Sequence, residues 1–185
     1  MGKAVLIVTG NKRKIWQATS CLEPLGISVE ARDVEIDEIQ AHDPIKISLA
    51  KARAAFEAVG KPLVICDHSW SFKALNGFPG GYMKDVNQWF EPEDWLALMH
   101  GKQERAVVLT EVVVYIDDDG VRTFSADFPG HVLQEARGIG SVSMERVVAF
   151  DGTEKTIAEH IDAAEHARDM AHSAWAKFGA WFVEA

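Results

Sequence analysis

The chain reads as an α/β protein, a mixed sheet of long strands flanked by helices. Three observations predict this. Aliphatic runs alternate with amphipathic stretches, the run at 106–116 is a long strand, and no linker interrupts the 185 residues. A single domain over 1–185 with a real core is therefore expected. Ala4 to Val8 is a short aliphatic run, read as a buried strand, and it ends in Thr9-Gly10-Asn11. A basic helix over 11–25 follows, with Ile15, Cys21, Leu22 and Leu25 on a helical period. Ile27, Val29 and Ala31 alternate in a strand over 27–33. Pro44 suits the first turn of a helix over 44–59, and Gly60 suits its stop. Leu63, Val64 and Ile65, bounded by Gly60-Lys61-Pro62 and Asp67, mark a buried strand over 63–67, with a second extended run at 70–75. Pro92 begins a helix bearing Trp95, Leu96, Leu98 and Met99. The segment 106–116, AVVLTEVVVYI, is the strongest strand, and Asp117-Asp118-Asp119-Gly120 turns it into a hairpin with 121–128. That aspartate cluster lacks the EF-hand spacing and its bidentate Glu, so it reads as a solvated turn. A long helix over 157–183 closes the chain, with Ala167, Met170, Ala174, Trp175, Phe178 and Trp181 among its apolar positions.

Composition narrows the function classes. Acidic residues outnumber basic ones 28 to 19, a formal net charge of −9, which argues against nonspecific binding to a nucleic-acid polymer. Local clustering of Lys12, Lys14, Lys51 and Lys84 would still suit a small anion. Cys21 and Cys66 suggest neither a disulfide framework nor a CxxC metal site. The first twenty residues lack a signal-peptide pattern and no apolar run reaches membrane-spanning length. A cytoplasmic protein with no membrane partner is expected.

Two segments carry chemistry. Strand 4–9, the Thr9-Gly10-Asn11 turn and a helix opening with Lys12-Arg13-Lys14 make a sound phosphate cradle. Backbone N–H groups and the helix dipole attract anions, and lysine supplies charge. GxxxxGK[ST] is absent, so this is not a P-loop. The second segment is Cys66 to Lys84, CDHSWSFKALNGFPGGYMK. Its Asp67 falls at a strand end, where open α/β sheets place their ligand crevice. A carboxylate there holds a metal ion, polarises a water, or simply caps a turn.

Three blocks together resemble the inosine triphosphate pyrophosphatase family of nucleotide hydrolases. Thr9-Gly10-Asn11 with Lys14 resembles the family's TGNxxK. Ile36-Asp37-Glu38-Ile39-Gln40 followed by helical Lys51 resembles its EIQ segment and later Lys. Asp67 through Ala74-Leu75-Asn76-Gly77-Phe78-Pro79-Gly80-Gly81-Tyr82-Met83-Lys84 resembles ED[ST]GLxxxALxGxPGxYxK without a gap. The resemblance implies two lobes around a central cleft, a homodimer, and Mg²⁺-dependent hydrolysis of a nucleoside triphosphate to a monophosphate and pyrophosphate. It implies Glu38 and Asp67 as metal ligands, and Asp67 and Lys14 as catalytic groups. It implies Thr9, Gly10, Asn11, Lys14, Lys51, His68 and Ser69 as substrate-binding residues. The chemistry is coherent without the name, since a triphosphate of about four negative charges needs a divalent cation and lysines to neutralise it.

The departures are as informative. Cys66 replaces the acidic residue before the family's Asp, and His68, Ser69 and Trp70 follow it instead of Ser/Thr, a small residue and Leu. His68 is a proton shuttle, an extra ligand or a solvated loop histidine. Gln17 replaces a Glu in the first helix. Asp151-Gly152 with Thr156, Ala158 and Glu159 resembles DGxxxTxAE and sets a register in which the family's FG[YW]DP falls on Val142-Ser143-Met144-Glu145-Arg146. No Ser-His-Arg triplet, which reads the 6-keto group in the family, occurs anywhere. Glu145, Arg146, Glu165, His166, Arg168, Asp169 and His172 are candidate replacements. The expected activity is therefore a divergent pyrophosphatase with altered base specificity. The alternative is a catalytically impaired relative that binds a nucleotide or a protein partner.

Overall fold

The structure, a computed structural model, describes residues 2–140 and 142–185. In chain order the elements are β1 (Lys3–Val8), α1 (Lys12–Leu22), β2 (Ile27–Arg32), α2 (Pro44–Val59), β3 (Leu63–Phe72), β4 (Pro79–Gly80), α3 (Met83–Trp89), α4 (Pro92–Leu98), β5 (Ala106–Asp117), β6 (Gly120–Val132), β7 (Val148–Phe150), α5 (Ile157–Asp162) and α6 (Ala174–Glu184). The strands hydrogen-bond in the order β2-β1-β3-β5-β6-β7, with β4 on β3. β1 is parallel to β2 and β3, while β4 and β7 pair antiparallel with β3 and β6. The expected mixed α/β sheet is thus observed. The chain forms two compact units, the first from residues 2–68, 111–126 and 170–185, the second from 69–110 and 127–169. No helix among the described residues is long and apolar enough to cross a membrane.

In the first unit, strand alternation sends successive side chains to opposite faces. Val8, Leu63, Ile65, Val112, Val114 and Ile116 point to one face, where Ala52 and Ala55 of α2 cover them. On the other face Tyr115 stacks against Phe178 of α6 at 6.0 Å. Both helices begin at a side-chain cap. Asp43 caps α2, its Oδ1 accepting from Ile45 N at 2.9 Å, and Gly60 closes the helix in the left-handed conformation (φ 66). Ser173 caps α6, its Oγ accepting from Ala176 N at 3.1 Å.

The second unit has its own aromatic core. Trp95 is fully buried, stacks on Phe72 at 5.1 Å, meets Phe90 edge-on at 5.1 Å, and donates its indole N–H to Ser143 Oγ at 3.0 Å. Gly130 of β6 pairs with Phe150 of β7, and a Cβ at Gly130 would lie 2.4 Å from Ala149 O. Backbone cannot yield as a side chain does. Gly130→Ala is therefore expected to destabilise the protein by about 1–3 kcal/mol, read as a lowered midpoint in urea unfolding.

Three expectations need correction. The strand at 63–67 and the run at 70–75 are one ten-residue strand, Leu63–Phe72, ending in a 3-10 turn at Lys73–Leu75. Asp67 and Cys66 therefore sit within a strand, not at its end. The polar stretch Asp67-His68-Ser69 suggested a break, yet Trp70 and Phe72 resume the buried alternation beyond it. The closing helix over 157–183 is two helices. Ala164 takes a left-handed φ of 56 after α5, and Ser173 supplies a new N-cap for α6. Alanines at 163, 164, 167 and 171 sustained an apparent helical period without buried packing. Helix α3 was not anticipated, because only Met83 and Val86 of its seven residues are buried.

Candidate functional site

The site of the first unit forms at one end of the apolar row that α2 covers. Asp67 follows Leu63 and Ile65 on that face, so its carboxylate meets α2 one turn from the helix start. Its Oδ1 accepts from Lys51 Nζ at 3.0 Å and Lys14 Nζ at 3.2 Å, and its Oδ2 from Ser48 Oγ at 3.4 Å. Lys51 Nζ also donates to Glu38 Oε1 at 2.7 Å, and Lys14 Nζ to Cys66 O at 2.7 Å. The four charged side chains keep 16–30% of their surface in contact with solvent, so the cluster is recessed and reachable.

Burial alone would push the Asp67 carboxyl up, but Lys14 and Lys51 outweigh it and hold the group below the ordinary carboxylate value. Burial also opposes the Lys51 charge, and Asp67 and Glu38 more than offset it, raising Lys51 above its ordinary value. Both partners are therefore fully charged at neutral pH.

The turn after β1 aims α1 at this cluster. Thr9 N donates to Arg32 O at 2.9 Å, and Thr9 Oγ1 accepts from Asn11 N at 3.1 Å. Asn11 Oδ1 then caps α1, accepting from Arg13 N at 2.9 Å and Lys14 N at 3.3 Å. A Cβ at Gly10 would lie 2.5 Å from Asp33 Oδ2, the end of an exposed side chain.

The structure thus brings Lys14, Glu38, Lys51 and Asp67 into one network and places Thr9, Gly10 and Asn11 in the turn that aims Lys14. His68 does not share this network. Strand alternation turns it to the α6 face, where its Nε2 lies 3.1 Å from Glu111 Oε1 and 3.8 Å from Cys66 Sγ. Ser69 is half-buried and is the first residue of the second unit. Sequence reasoning missed Ser48 and Glu111, both fully buried. Ser48 lies three residues before Lys51 on the same helix face, and Glu111 is the lone carboxylate in an apolar strand. Those positions were the available signals.

Among the candidate base readers, Glu145 is buried in a 3-10 turn at Ser143–Arg146. Arg146 Nε donates to Gly138 O at 2.9 Å. His166, Arg168 and Asp169 line a concavity of about 500 Å³ in the second unit, with Phe128 and Phe150 among its walls. Arg168 lies 4.6 Å over the Phe128 ring, and Glu165 pairs with His160 and Lys155.

Fold and site define an α/β protein that concentrates two lysines and two carboxylates beside a helix N-terminus. The comparisons place it further. The profile of the Ham1 family matches residues 5–181. A dITP/XTP pyrophosphatase of Methanopyrus kandleri is 32% identical over 156 residues, 84% of this chain and 83% of that protein. An inosine triphosphate pyrophosphatase of Aspergillus oryzae is 27% identical over 183 residues, 98% of this chain and 94% of that protein. The solved HAM1 protein of Coxiella burnetii has the same fold, with a TM-score of 0.82 at 17% identity over 99% of this chain and all of its own. This chain belongs to the Ham1 family, and the resemblance drawn from its three motif blocks is borne out.

Proposed function

We propose that the protein is a nucleoside triphosphate pyrophosphohydrolase, converting a triphosphate and water to a monophosphate and pyrophosphate. The observation that carries this is the Asp67 network: one recessed carboxylate held by two lysines, with a second carboxylate on Lys51. The relatives' names supply the reaction class.

The donor set fits Mg²⁺. Two carboxylates, Glu38 and Asp67, converge on a single cation, the Lys51 ammonium, as they would on a divalent ion. Both are hard oxygen donors, and Mg²⁺ takes one or two carboxylates while keeping several waters. When bound, that ion supplies Lewis-acid neutralisation of the phosphate charge. The remaining steps belong to the chain. The α1 N-terminus with Lys14, together with Lys51, binds the phosphates. Asp67 accepts the proton of the attacking water, whose oxygen bonds to the α phosphorus as the bridging bond to the β phosphate breaks. Its basicity is set by the substrate. With both lysines on Asp67 the carboxylate is ionised but weakly basic. Phosphates that draw the lysines away weaken the influence that holds the carboxyl low.

We extend the proposal to base choice, to assembly and to the chain acting as one catalytic domain. In the register set by Asp151-Gly152, residues 142–146 offer no aromatic side chain, and Ser-His-Arg is absent, so the preference for deaminated purines is replaced. Trp89 of α3 is 71% exposed and suits a homodimer surface. A panel of canonical, deaminated and modified triphosphates tests the specificity. A kcat/KM ranking led by a nucleotide other than inosine or xanthosine triphosphate is expected. A ranking led by those two would overturn the altered specificity while leaving the reaction class standing.

A further inference from the structure

We propose that Cys66, His68 and Glu111 form a second metal site, distinct from Glu38 and Asp67, that takes a borderline-soft divalent transition ion of the zinc class. The inference begins with strand alternation. Asp67 faces α2, so its neighbours Cys66 and His68 both face α6, where β5 presents Glu111. Three different donors then converge. Cys66 Sγ lies 3.8 Å from His68 Nε2, His68 Nε2 lies 3.1 Å from Glu111 Oε1, and all three ligand atoms fall within 4.8 Å of one another.

That spacing is what a tetrahedral ion requires. Metal–ligand bonds of about 2.0–2.3 Å place neighbouring ligands about 3.3–3.7 Å apart. The two separations from Nε2 bracket that range and the third, Sγ to Oε1, is at most 4.8 Å, so binding draws the thiol and the carboxylate together by at most about 1 Å, within reach of side-chain rotation. One nitrogen, Nε2, neighbours both other donors.

The environment favours a cation here. Glu111 is fully buried, Cys66 is 2% exposed and the His68 side chain 12% exposed. A metal ion seated among the three donors sits against a buried carboxylate, where low dielectric strengthens its attraction. Orientation is already provided. Ala174 N, at the start of α6, donates to Glu111 Oε2 at 2.8 Å, which leaves Oε1 directed at His68. The mixed sulfur, nitrogen and oxygen set selects zinc-class ions over Mg²⁺, which is served by oxygen. Three protein ligands leave a fourth position for water or another ligand. On binding, the Cys66 thiol releases its proton to solvent and His68 coordinates as the neutral ring.

The test uses the full chain after removal of metal with a chelator, titrated with Co²⁺. Neither Cys21 nor Cys66 is in a disulfide, so a thiolate-to-cobalt charge-transfer band reports coordination by one of the two. The expected result is a band that saturates at one equivalent and is displaced by Zn²⁺. It should persist in Cys21→Ser and Glu38→Gln and vanish in Cys66→Ser. Glu111→Gln should weaken Co²⁺ binding by at least the ~10–100-fold that loss of an orienting partner costs. No thiolate band in the unmodified protein would overturn the proposal, so the test does not depend on a variant folding. A band retained in correctly folded Cys66→Ser, or lost in Glu38→Gln, would also overturn it.

Discussion

Asp67→Asn is expected to lower pyrophosphate release by at least about 10²–10⁴-fold while the chain still folds. The amide keeps the shape of the side chain, with Oδ1 still able to accept from Lys14 and Lys51 and Nδ2 able to donate to Ser48 Oγ, but it cannot take a proton. The same variant has a signature in stability. The carboxyl is depressed in the folded protein, so its contribution is fully present above its ordinary value of 3.8 and is lost as pH falls through the lowered folded value. The stability of the unmodified protein relative to Asp67→Asn should therefore decrease as pH drops from about 5 toward 2, and stay level from about 5 to 8. Urea midpoints measured in parallel across that range check it. A relative stability that grew on acidification would show that the lysines do not hold Asp67 as described.

The second large effect is expected at Lys51, the group that joins the two carboxylates. Lys51→Ala should reduce kcat/KM by about 10²–10³, the usual loss when one preorganised charge at a phosphate or oxyanion is removed. It also removes one of the two cations that oppose burial at Asp67. The Asp67 carboxyl should then rise, and the acid limb of the pH–rate profile should move to higher pH. A purely structural role would not shift that limb. Lys51→Arg is not expected to restore full activity, because the planar guanidinium cannot occupy the compact position between Glu38 and Asp67 that an ammonium fills. Steady-state kinetics over pH for both variants decide the point.

Legibility in the sequence tracked how local each signal was. α2 runs over the predicted residues, because Asp43-Pro44 and Gly60 are terminal signals that need no tertiary context. Lys14, Lys51 and Asp67 were visible because each sits in a short block whose neighbours identify it, and the fold brings them to one network. Ser48 was invisible for the opposite reason. A buried serine within a helix has no signature until its partner on another element is known. Glu111 was hidden inside the strongest strand signal in the chain, where β-branched neighbours dominate any periodicity. β3 was cut short because two of its three polar residues, Asp67 and His68, are satisfied by groups far away in sequence, Lys14, Lys51 and Glu111, rather than by a turn. The break at Ala164 carried no Gly or Pro to announce it.

Product analysis tests the central claim most directly. The protein is incubated with Mg²⁺ and each triphosphate of the panel, and phosphorus resonances are followed by NMR. Monophosphate and pyrophosphate appearing in equal amounts from at least one substrate, and not with Asp67→Asn, is the predicted result. Release of diphosphate and inorganic phosphate, or turnover that survives Asp67→Asn, would contradict the account. Nucleotide binding with no product from any substrate would contradict it equally and point to a relative that binds without catalysis.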